Sequence, residues 1–129
     1  MKIIIPSAGR AESMTTHSIF PDAEVCIPEK DVAAYRKAGI RNITSHPNSL
    51  KGITPKRNWI LRRFPDDIIV MFDDDLTSVS KQFCRIGDQN SEKDPSKVMT
   101  IVDRTVSLAA EAGAKLFGWC PTAATVKTY

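Results

Sequence analysis

Three consecutive carboxylates, Asp73, Asp74 and Asp75, follow directly on the apolar run Ile68 to Phe72. Five apolar residues in a row, three of them β-branched, read as a strand buried on both faces. In open α/β sheets the ligand crevice lies outside the carboxyl ends of the strands, where these acids would stand. Strand alternation would turn Asp73 and Asp75 the same way and Asp74 the opposite way. Two like-facing carboxylates repel each other unless a cation or strong donors sit between them. Hard oxygen ligands suit Mg²⁺ or Mn²⁺, above all when a substrate diphosphate completes the shell. The plainer reading is an acidic turn that only ends a strand.

Two further segments offer complementary chemistry. Pro6-Ser7-Ala8-Gly9-Arg10 follows the opening strand. Its glycine permits close backbone approach, its serine offers a hydroxyl, and Arg10 offers a fork that matches phosphate oxygens. It contains neither G-x-G-x-x-G nor G-x-x-x-x-G-K-[ST], so neither a Rossmann dinucleotide site nor a P-loop is supported. An ordinary strand-to-helix turn explains the same residues. Lys51-Gly52-Ile53-Thr54-Pro55-Lys56-Arg57-Asn58 joins a glycine, a helix start and three cations, all favourable to a diphosphate. A solvated basic helix start is its bland counterpart. Glu29, just after Pro28, could accept from a base N–H or a ribose hydroxyl, or could simply favour the first turn of its own helix. His17 and His46 lack partners at telling spacing and read as surface or loop residues, which excludes a hydrolase triad. Trp59 and Trp119 read as core rather than as stacking platforms.

The elements that must position these residues alternate in type. Lys2–Ile5, Ala23–Ile27 and Ile40–Ser45 read as strands, separated by a weak helical stretch at Ala11–His17 and a helix over Glu29–Ala38 that Gly39 ends. Thr54 as N-cap and Pro55 as first helical residue open a helix to about Arg63, with Ile60 and Phe64 on one face. After the acidic-ended strand, Leu76–Ile86 alternates like a strand and Gly87–Glu92 is a polar loop. Asp94-Pro95 repeats the capping signature before a long helix. Its stripe is Val98, Ile101, Val102, Val106, Leu108, Ala109 and Ala112, and Gly113 ends it. Lys115–Trp119 reads as a last strand. The alternation implies an α/β domain with a mostly parallel sheet, its acids at the carboxyl end of a central strand and Ser7 and Glu29 in the same crevice.

The bulk numbers fit such a domain. With 129 residues, 42% apolar and 26% charged, the chain can bury one core. A net charge of +3 argues neither for nor against a polyanionic partner. No apolar run approaches a membrane span, and the start lacks the pattern of a signal peptide. Cys26, Cys84 and Cys120 have no metal-binding spacing and read as reduced thiols, buried and without function, in a cytosolic protein.

Taken together, the opening strand with Pro6-Ser7-Ala8-Gly9-Arg10, the Lys56-Arg57-Asn58 helix and the strand ending Phe72-Asp73-Asp74-Asp75 resemble the nucleotide-sugar-binding half of a GT-A glycosyltransferase of the family-2 kind. The likeness spans roughly residues 2 to 119. More narrowly, I-I-P-S-x-G-R with Pro-Glu after the second strand resembles the TET-associated glycosyltransferases of modified-base DNA in phages. The resemblance implies a GT-A-like, Rossmann-type sheet flanked by helices over residues 1–129, a nucleoside-diphosphate sugar donor, UDP-linked, and Mn²⁺ or Mg²⁺. The acceptor it implies is modified DNA or a glycan. By position it assigns Pro6, Ser7, Arg10, Glu29, Lys56, Arg57, Asn58, Asp73 and Asp74 to the nucleotide sugar. Asp73 and Asp75 form the D-x-D that holds the metal, Asp75 being the more direct ligand. The departure is at the other end: after Glu111 the sequence has no carboxylate to serve as an inverting base. That leaves a truncated or minimal acceptor side, a retaining enzyme, or a chain that binds donor and transfers poorly. The rivals are a nucleotidyltransferase, which would carry a richer glycine loop, and a non-catalytic nucleotide-binding scaffold, which the retained D-x-D opposes.

Overall fold

The computed structural model describes residues 1–80 and 91–119, which form two compact units, Met1–Thr77 and Ser78–Tyr129. The first unit holds strands β1 (Lys2–Pro6), β2 (Glu24–Pro28), β3 (Ile43–His46) and β4 (Ile69–Met71), with helices α1 (Val32–Lys37) and α2 (Ile53–Arg63). The strands form one all-parallel sheet in the order β3-β2-β1-β4. Ile4 and Ile5 in β1 and Val25, Cys26 and Ile27 in β2 are all fully buried. Consecutive rather than alternating burial is what a parallel sheet covered on both faces requires. Ile60 of α2 packs with Ile4 and Cys26, and Trp59, Phe64, Ile69 and Met71 close around them. Ile60 and Phe64 thus share the buried face that their spacing predicts. Phe20 stacks on Phe72 with ring centroids 4.5 Å apart.

The chain order carries the functional consequence. From β1 it steps outward to β2 and β3, then returns to place β4 on the other side of β1. The direction of winding reverses between β1 and β4, which is the switch point where α/β sheets open a crevice.

Several elements differ from the sequence expectations. Among the described residues β4 is the outer strand of this sheet rather than a central one, and Ile68 is exposed. The Glu29–Ala38 helix begins as a 3-10 turn over Glu29–Asp31 before α1, and the stretch after Ala11 is helical only at Thr16–Ser18. β3 starts at Ile43, not Ile40. α2 begins at Ile53 with Gly52 as N-cap and no side-chain cap. Thr54 therefore lies inside the first turn, where Pro55 is tolerated because that N–H has no helical acceptor. His46 is fully buried at the end of β3, with Nδ1 3.0 Å from the Pro47 carbonyl and Nε2 without a partner. The rest of β3 is half-buried or exposed, and His46 lies tilted against Trp59 of α2, with ring centroids 6.0 Å apart.

The second unit contains the short antiparallel pair β5 (Val79–Ser80) and β6 (Ser91–Glu92) and helix α3 (Pro95–Glu111). Asp94 caps α3 as expected, accepting from the Ser96 and Lys97 amides. The Ser96 hydroxyl, first among its donors, holds the Asp94 carboxyl below its usual range. Val98, Val102 and Val106 are buried, whereas Leu108 falls off the stripe and is exposed. Residues 115–119 form no strand, and Trp119 is exposed with its ring edge-on to Phe117. Of the strand expected over Leu76–Ile86, Val79–Ser80 is strand among the described residues; residues 81–90 and 120–129 lie outside them. No helix among the described residues is long and apolar enough to cross a membrane.

Candidate active site

A cleft of about 370 Å³ opens at the switch point. Pro6, Ala8 and Arg10 line it from the loop after β1, and Gly52, Ile53 and Lys56 from the start of α2. Asp73, Asp74 and Asp75, after β4, complete it.

The β1 loop is pinned through the backbone of Ser7, Gly9 and Arg10. The Ser7 amide continues the sheet by donating to Cys26 O at 2.9 Å, and Lys56 Nζ donates to Ser7 O at 2.6 Å. The Gly9 amide donates to Asp31 Oδ2 at 2.8 Å, and the Arg10 amide to the Tyr35 hydroxyl at 3.2 Å. Gly9 makes the reversal with φ 64°, a conformation costly to any residue with a Cβ. Lys56 is buried, and desolvation pushes its ammonium pKa down. Its bond to the Ser7 carbonyl offsets part of that cost and makes α2 a brace for the loop.

The acidic turn is organised differently from a continuing strand. Phe72 donates to Ile4 O at 3.2 Å as the last rung beside β1, and Asp74 and Asp75 already lie in a turn. Alternation therefore lapses before Asp74, which lines the same cleft as its neighbours instead of pointing away. The three acids are not equivalent. Asp74 is buried, accepts from Arg10 Nη1 at 2.8 Å and accepts from the Ser7 hydroxyl. Asp73 and Asp75 have side chains 64% and 60% exposed. Asp73 pairs with Arg57 at 2.8 Å, and Asp75 lies 3.9 Å from Arg10. Thr16 ties the turn down from behind: its hydroxyl donates to Asp73 O at 2.5 Å and accepts from the Leu76 amide at 2.8 Å.

The structure thus gathers Pro6, Ser7, Arg10, Lys56, Arg57 and the three aspartates at one edge. Asn58 is exposed and does not line the cleft. Glu29 is at the same carboxyl edge, directly after β2, but is exposed and outside the cleft lining. Sequence reasoning missed Thr16, Asp31 and Tyr35. Asp31 and Tyr35 are four residues apart just after a strand, a helical spacing that puts both toward the β1 loop; Thr16 carries no comparable signal.

Among the described residues no group of three or more His, Cys, Asp or Glu side chains is arranged to hold a metal ion. Mg²⁺ characteristically takes one or two carboxylates plus substrate phosphates, so the exposed oxygens of Asp73 and Asp75 fit a cation that arrives with its diphosphate.

A family model describing the TET-associated glycosyltransferases matches residues 1–128. The chain belongs to that family. It is accordingly an enzyme that moves a sugar from a donor to an acceptor, and its parallel sheet flanked by helices is consistent with the GT-A-like, Rossmann-type class. Searches of curated proteins and of solved structures each found no match. In this TET-associated glycosyltransferase the switch-point cleft brings Arg10, Lys56, Asp73, Asp74 and Asp75 together.

Proposed function

We propose that this glycosyltransferase takes a nucleoside-diphosphate sugar, UDP-linked, at the switch-point cleft, with a divalent cation held by Asp73 and Asp75. The observation that carries the reading is the convergence of Arg10, Lys56 and the α2 N-terminus with the three aspartates on one cleft, with Arg57 paired to Asp73. A diphosphate satisfies the cations, and a metal satisfies the acids that the diphosphate would otherwise repel. Asp75 is the more direct ligand, since its nearest cation stands at 3.9 Å while Asp73 has Arg57 at 2.8 Å. Exposed ion pairs contribute about 0–1 kcal/mol, so exchanging Arg57–Asp73 for donor and metal contacts costs little. A divalent cation held by Asp73 and Asp75 would supply positive charge against the departing nucleoside diphosphate.

The chain's own residues do the remaining work. Arg10 presents a half-exposed guanidinium to the diphosphate, already oriented by Asp74. Gly52, at positive φ, and Ile53 bring the N-terminus of α2 to the cleft, where the free amides of a first helical turn favour an anion. Lys56 adds positive potential while fixing the β1 loop. Pro6 and Ser7 shape the nucleotide side, Asn58 serves the donor-facing helix, and Glu29 contacts base or ribose. The acceptor is a hydroxyl of modified DNA or a glycan. Thermal-shift screening of UDP, GDP and CTP with Mn²⁺ tests the donor class. Stabilisation by UDP above the others supports the reading, and a preference for CTP or no response to any nucleotide rejects it.

A further inference from the structure

We infer that Tyr35 is a positioning residue for Arg10, acting through a closed ring of hydrogen bonds that is buried at Tyr35, Ser7 and Asp74 and part-buried at Arg10; this rests on the reading of Arg10 as a donor contact. The directions of the bonds follow from counting protons. Ser7 has one hydroxyl proton and gives it to Asp74 Oδ2, a carboxylate that can only accept. The contact of 2.6 Å between Ser7 Oγ and the Tyr35 hydroxyl must then be donated by Tyr35. The tyrosine oxygen is left as an acceptor and receives the Arg10 amide at 3.2 Å. Arg10 Nη1 donates to the other Asp74 oxygen at 2.8 Å.

The ring therefore starts at the Arg10 main chain, passes through Tyr35, Ser7 and Asp74, and returns to the Arg10 guanidinium. The bonds from the Arg10 amide through Tyr35 and Ser7 run in one sense and strengthen one another, and they meet the guanidinium's own bond at Asp74, which accepts from both sides. Tyr35 is fully buried and does not line the cleft, so it touches no donor itself. It fixes where the Arg10 backbone sits, and through Ser7 and Asp74 it fixes where the side chain ends. A long, flexible arginine is thereby held for a phosphate before the donor arrives.

Tyr35→Phe removes only the hydroxyl and keeps the buried ring. UDP affinity in Mn²⁺ is measured by calorimetry for wild type, Tyr35→Phe, Arg10→Ala and the double variant, with ¹⁵N relaxation of Arg10 Nε–H in the first two. Tyr35→Phe is expected to weaken UDP by about three- to tenfold, the net worth of one hydrogen bond. The same change in the Arg10→Ala background should add nothing, because the group being positioned is gone. The Arg10 side chain should become more mobile in Tyr35→Phe. Equal loss in both backgrounds, or unchanged Arg10 relaxation, would overturn the inference. If Arg10→Ala leaves UDP affinity intact while Arg10 loosens in Tyr35→Phe, the donor role of Arg10 fails and the positioning stands.

Discussion

Asp74 and Arg10 meet at 2.8 Å across the switch point, the carboxylate buried and the guanidinium half exposed. The pair ties the loop after β1 to the turn after β4, the two segments between which the winding of the sheet reverses. It also gives the aspartates different roles, since Asp74 organises the cleft from within while Asp73 and Asp75 face outward.

Asp74→Ala should destabilise the first unit by about 1–3 kcal/mol, since it strips acceptors from Ser7 and Arg10 in a buried setting. Asp73→Ala, which removes an exposed pair with Arg57, should cost no more than about 1 kcal/mol. Urea unfolding of both variants measures the contrast; equal losses would contradict the division of roles.

Thr16→Val keeps the shape of a fully buried side chain and deletes the hydroxyl that clamps Asp73 and Leu76. It should cost about 1–3 kcal/mol by leaving the Leu76 amide without its acceptor, whereas Thr16→Ser should retain most of the stability. If Val is tolerated and Ser is not, the methyl rather than the hydroxyl matters at this position.

Burial raises the Cys26 thiol pKa from 9.0 to about 11. The neutral thiol is the form the fold favours, so this contribution is whole below pH 9 and is lost as pH rises from 9 toward 11. Roughly 2–3 kcal/mol is at stake. Comparing urea stability of wild type and Cys26→Ala from about pH 8 to about pH 10.5 should show a steeper alkaline decline in the wild type. Peptide mapping after iodoacetamide at about pH 8 should find Cys26 protected until the chain is denatured.

The sequence announced the parallel sheet because Lys2–Ile5, Ala23–Ile27 and the run before Asp73 are apolar over strand lengths, and the intervening helices carry their own stop signals. It marked the strand ends because they are visible as Pro6, Pro28 and Asp73. What it could not show arises from tertiary contact. The turn at Asp74 breaks alternation only because the last rung beside β1 is made at Phe72. Tyr35 and Thr16 look like ordinary helix and loop residues until the sheet brings them against Ser7 and Asp73. Lys56 reads as a donor-binding cation in a basic run, and nothing in that run shows that it is buried with its ammonium on the Ser7 carbonyl. Lys115–Trp119 has a strand's composition but no strand in the structure, since β propensity does not by itself supply a neighbour to pair with.

The central claim is that donor binding at the switch-point cleft runs through a metal held by the outward aspartates. Calorimetric titration of UDP into the protein with Mn²⁺, with chelator, and into Asp75→Asn with Mn²⁺ tests it most directly, with circular dichroism confirming that the variant stays folded. The account predicts binding in the first case and its collapse in the other two, because the diphosphate would then face carboxylates unscreened. UDP affinity that is the same in all three titrations would contradict it.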